Sequence, residues 1–529
     1  MTSRQRWTLL ATIIGSGAVF LDGTIVNVAL PRIGRELPAT FVGVLEGQTY
    51  IVSGYLAVLA ALLILAGALS DRFGRRRTYV IGIAGFAITS ALCGLAPTFE
   101  WLIVFRLLQG AAGALMIPGA LSIITQTFAA EERGRAFGIW TSATSGLVLL
   151  GPLLGGLVVD TIGWRFAFLV NVPFLAVALW IALRHVEESR DLGRPGRFDW
   201  LGSIVAAIAV GGLSFGIIRG GEQEWADPLA WASIVAGGIA LVMFPVLMAT
   251  RPDPLVPLAL FRSRTFSSIN VATFFIYGAL YVALSYQGLV LQGVLHYSAL
   301  AAGAAGLPMG LCLAFFSTRI GAVAGRIGAR PFMTAGPLIM TVGLLWFTRL
   351  PVDSDPWLAA VQAPASLVPP LDFVVDILPA VLLFGIGMSL IVAPLTNTLM
   401  GSIPVRFSGL GSAINNAISR VGQPLLGALI FVAISATFYA NLGTLVPGLD
   451  PADPAVRTTF APLNPPRSGA SPADVAAAAQ ASVLAFHDAM RVAVVLLLIA
   501  SAVSWFGLRD TDRAGARVAA RSERPRADA

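Results

Sequence analysis

Two side chains of opposite charge stand where a chain surrounded by lipid tolerates them least. Asp22 lies inside the apolar run Trp7–Leu30, about 8 residues from its end, or about 12 Å of helix at the usual rise per residue. Arg106 lies about 6 residues, or about 9 Å, into the run that begins near residue 101. The two therefore sit at similar depth and could meet. A carboxylate at that depth is costly unless it faces a cavity or a partner, and desolvation works against its charged form. A group that takes up and releases a proton needs that poise. A guanidinium close by would favour the carboxylate and its withdrawal would favour the acid, so proton affinity would follow conformation. Gln109, Gly110 and Gly113 continue the Arg106 face at helical spacing, offering a polar contact and close backbone approach. The competing reading is a carboxylate tied permanently to a donor for structure and an Arg that snorkels to the outer interface.

A second constellation is Gly67-Ala-Leu-Ser-Asp71-Arg72-Phe-Gly74-Arg75-Arg76-Arg77, a short turn in which Asp71 alone is negative. A carboxylate there can face a helix N-terminus in one conformation and lose it in another, which would make the turn a latch; the alternative is a charge cluster that only fixes topology. Gly151-Pro-Leu-Leu-Gly155-Gly156 combines a proline that removes a backbone hydrogen bond with glycines that remove side chains, so a bend and a tight helix contact are expected at Gly151, Pro152, Gly155 and Gly156. Arg420 either faces a cavity or lies nearer the inner boundary. Cys93 and Cys312 fall in apolar segments as small hydrophobes. His185, His296 and His487 lack metal-ligand spacing, so no metal is expected.

The elements that must position these groups are membrane helices. Of 529 residues 56% are hydrophobic and 12% charged, about half the charge of an ordinary soluble domain, and apolar runs of about 20 residues recur along nearly the whole chain. Spans are expected near 7–30, 47–69, 78–96, 101–126, 136–158, 166–184, 199–218, 229–249, 266–291, 299–320, 332–349, 373–399, 409–437 and 487–507. Arg4 and Arg6 before the first run imitate a signal peptide, but the run is too long for one and should remain as a span. All 35 basic residues are Arg. With both termini inside, 24 of them fall in cytoplasmic segments and 7 outside, leaving Arg106, Arg319, Arg420 and Arg491 within or at the edges of spans; retention of Arg on the cytoplasmic side thus requires an even number of crossings. The net charge of +7 is spread over short loops with no basic face, which excludes nucleic acid as a partner.

A worn internal repeat is also present. Gly67-Ala-Leu-Ser-Asp-Arg72-Phe-Gly74 returns as Gly321-Ala-Val-Ala-Gly-Arg326-Ile-Gly328, and Pro152-Leu-Leu-Gly155 returns as Pro424-Leu-Leu-Gly427. These anchors pair span 2 with 10 and span 5 with 13, a shift of eight, as if two helices had been inserted between two six-helix halves. The expected fold is an all-α polytopic membrane protein of two six-helix pseudo-repeat bundles plus two additional helices between them, about 14 transmembrane helices. The expected units are a first bundle over 1–190, two inserted helices over 191–262, a second bundle over 263–508 and an Arg-rich cytoplasmic tail over 509–529. Outer loops near 350–372 and 438–486, rich in Pro, Ala and Gly, are expected to be flexible, with a little local helix and no chemistry.

Jointly these motifs resemble the major facilitator superfamily, and within it the fourteen-helix drug:proton antiporter family, over essentially the whole chain. Leu21-Asp22-Gly-Thr-Ile-Val-Asn27-Val-Ala-Leu-Pro31 is similar to that group's first-helix signature. The resemblance implies that Asp71, Arg72 and Arg75, with Gly67 and Gly74, govern the conformational switch. It implies that Arg106, followed by Gln109 and Gly110, takes part in proton transfer, and that Gly151-Pro152 with Gly155-Gly156 marks export over uptake. Two departures stand out: Leu147 replaces a glycine usual four positions before the Gly-Pro pair, and Gly325 stands where the second copy of the loop would repeat Asp71. Trp164-Arg165-Phe166 and Asn171-Val-Pro173 also resemble the family and add no chemistry of their own.

The expected function is therefore a proton-coupled antiporter of the cell membrane, exporting small amphipathic organic compounds such as drugs or antibiotics. Asp22 and Arg106 would couple the proton, with Gln109 and Arg420 as possible polar groups of the cavity. An importer on the same fold, or a non-transporting receptor or scaffold, are the alternatives. No nucleotide-binding loop and no nucleophile–base set is visible, so neither an ATP-driven pump nor an enzyme is expected, and no cofactor. Partners are the substrate, protons and the lipid bilayer.

Overall fold

A backbone in hydrocarbon must satisfy its own hydrogen bonds, and a helix does so within one segment. The computed structural model describes residues 1–189, 199–252, 254–403, 408–467 and 470–508, and among them no strand forms. The Arg residues at 190, 194, 197, 406 and in the tail, and the side chain of Asp71, lie outside the described residues. The first half holds α1 (Ser3–Glu36), α2 (Val44–Phe73), α3 (Arg75–Gly94), α4 (Phe99–Thr127), α5 (Ala130–Thr161), α6 (Phe166–Leu169) and α7 (Asn171–His185). Two further helices follow, α8 (Trp200–Glu222) and α9 (Pro228–Thr250). The second half holds α10 (Arg264–Gly293), α11 (Ala299–Ala304), α12 (Leu307–Ile327), α13 (Arg330–Phe347), α14 (Leu378–Gly401), α15 (Ser408–Leu445), α16 (Pro454–Thr459) and α17 (Pro472–Gly507).

These make fourteen crossings. Helices α6 and α7 share one, as do α11 and α12, and α16 lies in a loop. Among the described residues thirteen crossings are long and apolar enough by themselves. The remaining one, α13, has 18 residues diluted by Arg330, Pro331 and Pro337, yet it packs along α14 and α17 as α3 packs along α4 and α7. The same correspondence relates α1 on α5 to α10 on α15, α2 on α4 to α12 on α14, and α1 on α7 to α10 on α17. This is the shift of eight crossings that the sequence anchors describe. Gly74 and Gly328, the last residues of the repeated loop, both take positive φ, 113° and 99°, a region open essentially to glycine alone.

The long loop before the last crossing departs from expectation. Helix α15 continues to Leu445 and α17 begins at Pro472, so the loop is some twenty residues shorter than 438–486. The Ala-rich run after Ser471 favours helix, and Ser471 with Asp474 closes a capping box on it. Nor is the loop idle: Leu463 and Asn464 are buried against both halves.

The start of α1 and the end of α17 share one end of the bundle, called here the terminal end. Gln5 bonds Thr127 O and Glu132 there, and Arg264 bonds Phe506 O. The opposite, distal end is where the halves close on each other. Asp160 of α5 accepts from the α11 backbone N–H groups of Ala299 (3.2 Å) and Leu300 (2.8 Å). Gln292 of α10 donates to Val28 O at 3.0 Å, and Gln48 of α2 exchanges two amide bonds with Asn464, at 2.8 and 3.0 Å. Toward the terminal end, positions Gly138 and Gly146 of α5 and Gly325 of α12 have open space where a Cβ would stand. The structure is closed distally and open toward the terminal end. Helix α8 lies over the seam, touching α2 through the Tyr50–Phe215 stack and Arg219–Glu46, and α15 through Ser214 Oγ, which donates to Pro424 O at 2.8 Å.

Candidate functional site

Asp22 and Arg106 meet. Arg106 Nη1 donates to Asp22 Oδ2 at 2.5 Å and to Gln109 Oε1 at 2.7 Å, while Nε donates to Ile51 O at 3.1 Å. The second carboxylate oxygen, Oδ1, accepts from Gln109 Nε2 at 3.1 Å and from Asn171 Nδ2 at 3.2 Å. Asn171 Nδ2 also donates to Ser90 Oγ at 3.1 Å, and the guanidinium carbon lies 4.0 Å from the centre of the Tyr55 ring. Asp22, Gln109 and Ser90 are fully buried, and Arg106 and Asn171 are 1% exposed. The donor set matches an ionised carboxylate, and a buried pair is tolerable only when its remaining hydrogen-bonding capacity is met in this way. Five of the six crossings of the first half build the cluster: α1 with Asp22, α2 with Ile51 O and Tyr55, α3 with Ser90, α4 with Arg106 and Gln109, and the α6–α7 crossing with Asn171.

The expectation that Gln109 lines a cavity is corrected here. Its amide is spent inside the first half on Asp22 and Arg106, with no exposed surface. Asn171, read from sequence as adding no chemistry, is one of the three donors to Asp22. Its neighbour Pro173 and the turn at Val170 set it at the start of α7, and a polar residue between apolar ones in a span was the signal available.

In the loop between α2 and α3, Gly74 is required by more than its φ. A Cβ there would stand 2.5 Å from Glu188 Oε1. The Glu188 carboxylate accepts from the backbone N–H groups of Arg76 (3.2 Å) and Arg77 (3.1 Å), so it holds the N-terminus of α3. Arg75 Nη1 donates to Gln126 Oε1 at 2.8 Å and its backbone N–H to Ser189 O at 3.0 Å. Arg72 stands with its Cζ 5.9 Å from the Phe73 ring centre, and a Cβ at Gly67 would only reach ordinary contact with Pro118, at 3.7 Å.

The glycines of α5 are divided between two neighbours. Cβ atoms at Gly151 and Gly155 would meet Thr24 Oγ1 at 2.0 Å and the Ile25 backbone at 3.2 Å, both on α1. Gly156 faces the other half, where a Cβ would stand 2.3 Å from Ala299 O, and reciprocally a Cβ on Gly303 would stand 2.1 Å from Pro152 O. Leu147 has a physical partner: its side chain fills the space a Cβ on Gly17 of α1 would occupy. Arg420 lies in the seam, with its Cζ 5.6 Å from the ring centre of Phe20 in the opposite half.

The sequence model described as Major Facilitator Superfamily matches residues 12–427. The chain is 33% identical over 472 residues to the multidrug resistance protein Stp of Mycobacterium tuberculosis, covering 88% of this chain and 82% of that one. It is 31% identical to the tetracenomycin C resistance and export protein of Streptomyces glaucescens, with 81% and 76% covered, and 31% identical to the puromycin resistance protein pur8 of Streptomyces alboniger, with 83% and 84% covered. In fold it is similar to a bacterial homologue of the human lysosomal transporter Spinster in an inward-facing, unoccupied conformation, with TM-score 0.61, 18% identity, and 98% and 99% of the two chains covered.

Proposed function

Since the chain belongs to the Major Facilitator Superfamily, a family of multi-pass membrane transporters, we propose that it is a proton-driven exporter of amphipathic organic compounds in the cell membrane. Both termini would then be cytoplasmic, and the open terminal end would be the cytoplasmic mouth. On this reading residues 1–190 and 263–508 are the two moving bundles and 191–262 carries the inserted helices. The names of its relatives, a multidrug resistance protein and two antibiotic resistance proteins, support efflux. The observation that carries proton coupling is the buried Asp22–Arg106 pair with its two amide donors.

Asp22 takes a proton only when the donors that fit its carboxylate let go, and they sit on different crossings. A change of packing among α1, α4 and α7 would therefore control protonation. In this reading the Asp71 loop is the conformational switch, and Gly151, Pro152, Gly155 and Gly156 let α5 rock against α1 and α11.

Proteoliposomes holding the full chain test this. A pH gradient should drive efflux by the wild type and not by Asp22→Asn, at equal amounts of inserted protein. Normal gradient-driven efflux by Asp22→Asn would move the proton site elsewhere.

A further inference from the structure

Resting on the exporter reading, we propose that Arg420 is an anion subsite in the seam, so that the preferred cargo is an aromatic amphiphile bearing a carboxylate or similar negative group. Arg420 lies twelve residues after Ser408 in α15, about 18 Å along the helix, and is only 9% exposed. It stands in the neighbourhood of Tyr55 of the first half and Tyr277 of the second. Among the described residues it has no carboxylate partner and no hydrogen bond, and its one contact of charge is the Phe20 ring.

Several other charges of the crossings have partners. Glu46 bonds Arg219, Asp488 bonds Arg491, and Asp160 caps α11. Asp22, at mid-depth, is held by Arg106. A buried guanidinium with no counter-ion leaves the middle of the seam positive, and such a group is expensive in lipid unless something completes it.

A second side chain on the same stripe is also incomplete. Gln423, one turn further and 3% exposed, has its Oε1 buried with no hydrogen-bond partner. It lines a small cavity of about 10 Å³ with Gln48, Ser285 and Tyr286, toward the distal end of the seam. Asn416, one turn the other way, is exposed toward the open end. A molecule arriving from the terminal end along α15 would pass Asn416, present its anion to Arg420 and stop against Gln423, whose free acceptor suits a hydroxyl or amide N–H. Aromatic walls flank this path. Phe20 and Trp140 pack edge to face at 6.3 Å, and Tyr277 and Tyr281 are 6.1 Å apart. These rings suit an aromatic cargo, whose acid group would accept from two guanidinium N–H groups together.

The test uses the purified full chain in detergent, with binding of 2-naphthoate and its uncharged analogue 2-naphthamide measured by calorimetry. The wild type should bind the acid about 10-fold or more tighter than the amide, as expected for a charge-assisted contact. Arg420→Gln should remove that preference, Arg420→Lys should keep part of it, and amide binding should be unchanged in both. Equal affinity of the wild type for acid and amide, or an equal loss of both in Arg420→Gln, would overturn the subsite. Transport in proteoliposomes separates the two levels. An acid preference in binding with no gradient-driven efflux would refute the exporter reading and leave the subsite standing; efflux with no acid preference would do the reverse.

Discussion

Adding one methyl group at Gly156 should tip the whole molecule toward opening at its distal end. A Cβ there would stand 2.3 Å from Ala299 O and 2.6 Å from both Ala299 C and Leu300 Cα. All three are backbone atoms at the start of α11, so no change of rotamer relieves the overlap, and α5 must move away by about 1 Å to restore van der Waals contact. Overpacking of this kind costs about 1–3 kcal/mol. On the exporter reading α5 and α11 separate when the distal end opens, so the cost falls on the distally closed state and the equilibrium should shift ~5–150-fold toward the open form.

Electron–electron distance measurements on spin labels report the shift directly. Ile162 and Leu358 are exposed distal positions on opposite halves, and the native Cys93 and Cys312 are buried away from the label. With labels at 162 and 358, Gly156→Ala should enlarge the long-distance population. Gly303→Ala, whose Cβ would stand 2.1 Å from Pro152 O, should act in the same direction. Gly146→Ala, which meets nothing within 4 Å, should not. An unchanged distribution in correctly inserted Gly156→Ala, or an equal shift in Gly146→Ala, would refute the reasoning.

Three further outcomes are expected. Asp22→Asn should abolish pH-driven efflux while the protein still reaches the membrane, because Arg106 keeps Ile51 O, Gln109 and the Tyr55 ring; if the pair is only structural, its breakage costs the full 3–5 kcal/mol or about that, abundance collapses, and Asp22→Asn combined with Arg106→Gln restores it. Gln48→Leu leaves the buried Asn464 Oδ1 without its donor, at a cost of about 1–3 kcal/mol, so hydrogen exchange in residues 460–464 should speed up at least about fivefold; unchanged exchange there would show that the loop does not hold the halves together. Gly328→Ala, strained by its φ of 99° but with open space around it, should lower the thermal midpoint less than Gly74→Ala, which adds a collision with Glu188; the opposite order would discount that contact.

What sequence could and could not reveal follows from how local each signal is. Matched depth on two spans was enough to bring Asp22 to Arg106, because a rigid rise per residue converts position into height. The repeat was legible for a similar reason: Gly74 and Gly328 are demanded by local backbone conformation, which a single residue type satisfies. Direction around a helix was harder. Whether Gln109 faces its own half or the seam depends on the rotation of α4, and whether Arg420 faces the seam depends on α15, and no span pattern here sets either. The Leu147–Gly17 exchange and the Gln48–Asn464 pair join residues 130 and 416 positions apart, so each half of the signal looks unremarkable alone. The crossing α13 was weak for a different reason: its packing against α14 and α17 makes up for prolines that lower its hydropathy.

The features treated so far as separate sites meet on six residues of one helix. Along α1, Phe20 carries the Arg420 guanidinium of the other half, Asp22 carries the Arg106 pair, and Thr24 and Ile25 bear on Gly151 and Gly155 of α5. Successive residues of a helix point about 100° apart, so these contacts leave α1 in different directions and fix its rotation as well as its height. A small turn or tilt of α1 must then change the Asp22 donor distances, the packing of α5 and the position of Phe20 over Arg420 together. Close-packed interfaces of this kind have a few discrete arrangements and do not deform smoothly. Loss of the Asp22 donors would accordingly come with a new α1–α5 packing and a displaced Phe20, which is the physical condition for a proton and a cargo to exclude each other although their groups never touch. No wire of side chains between the two sites is needed for this: the coupling resides in the rigid segment they share.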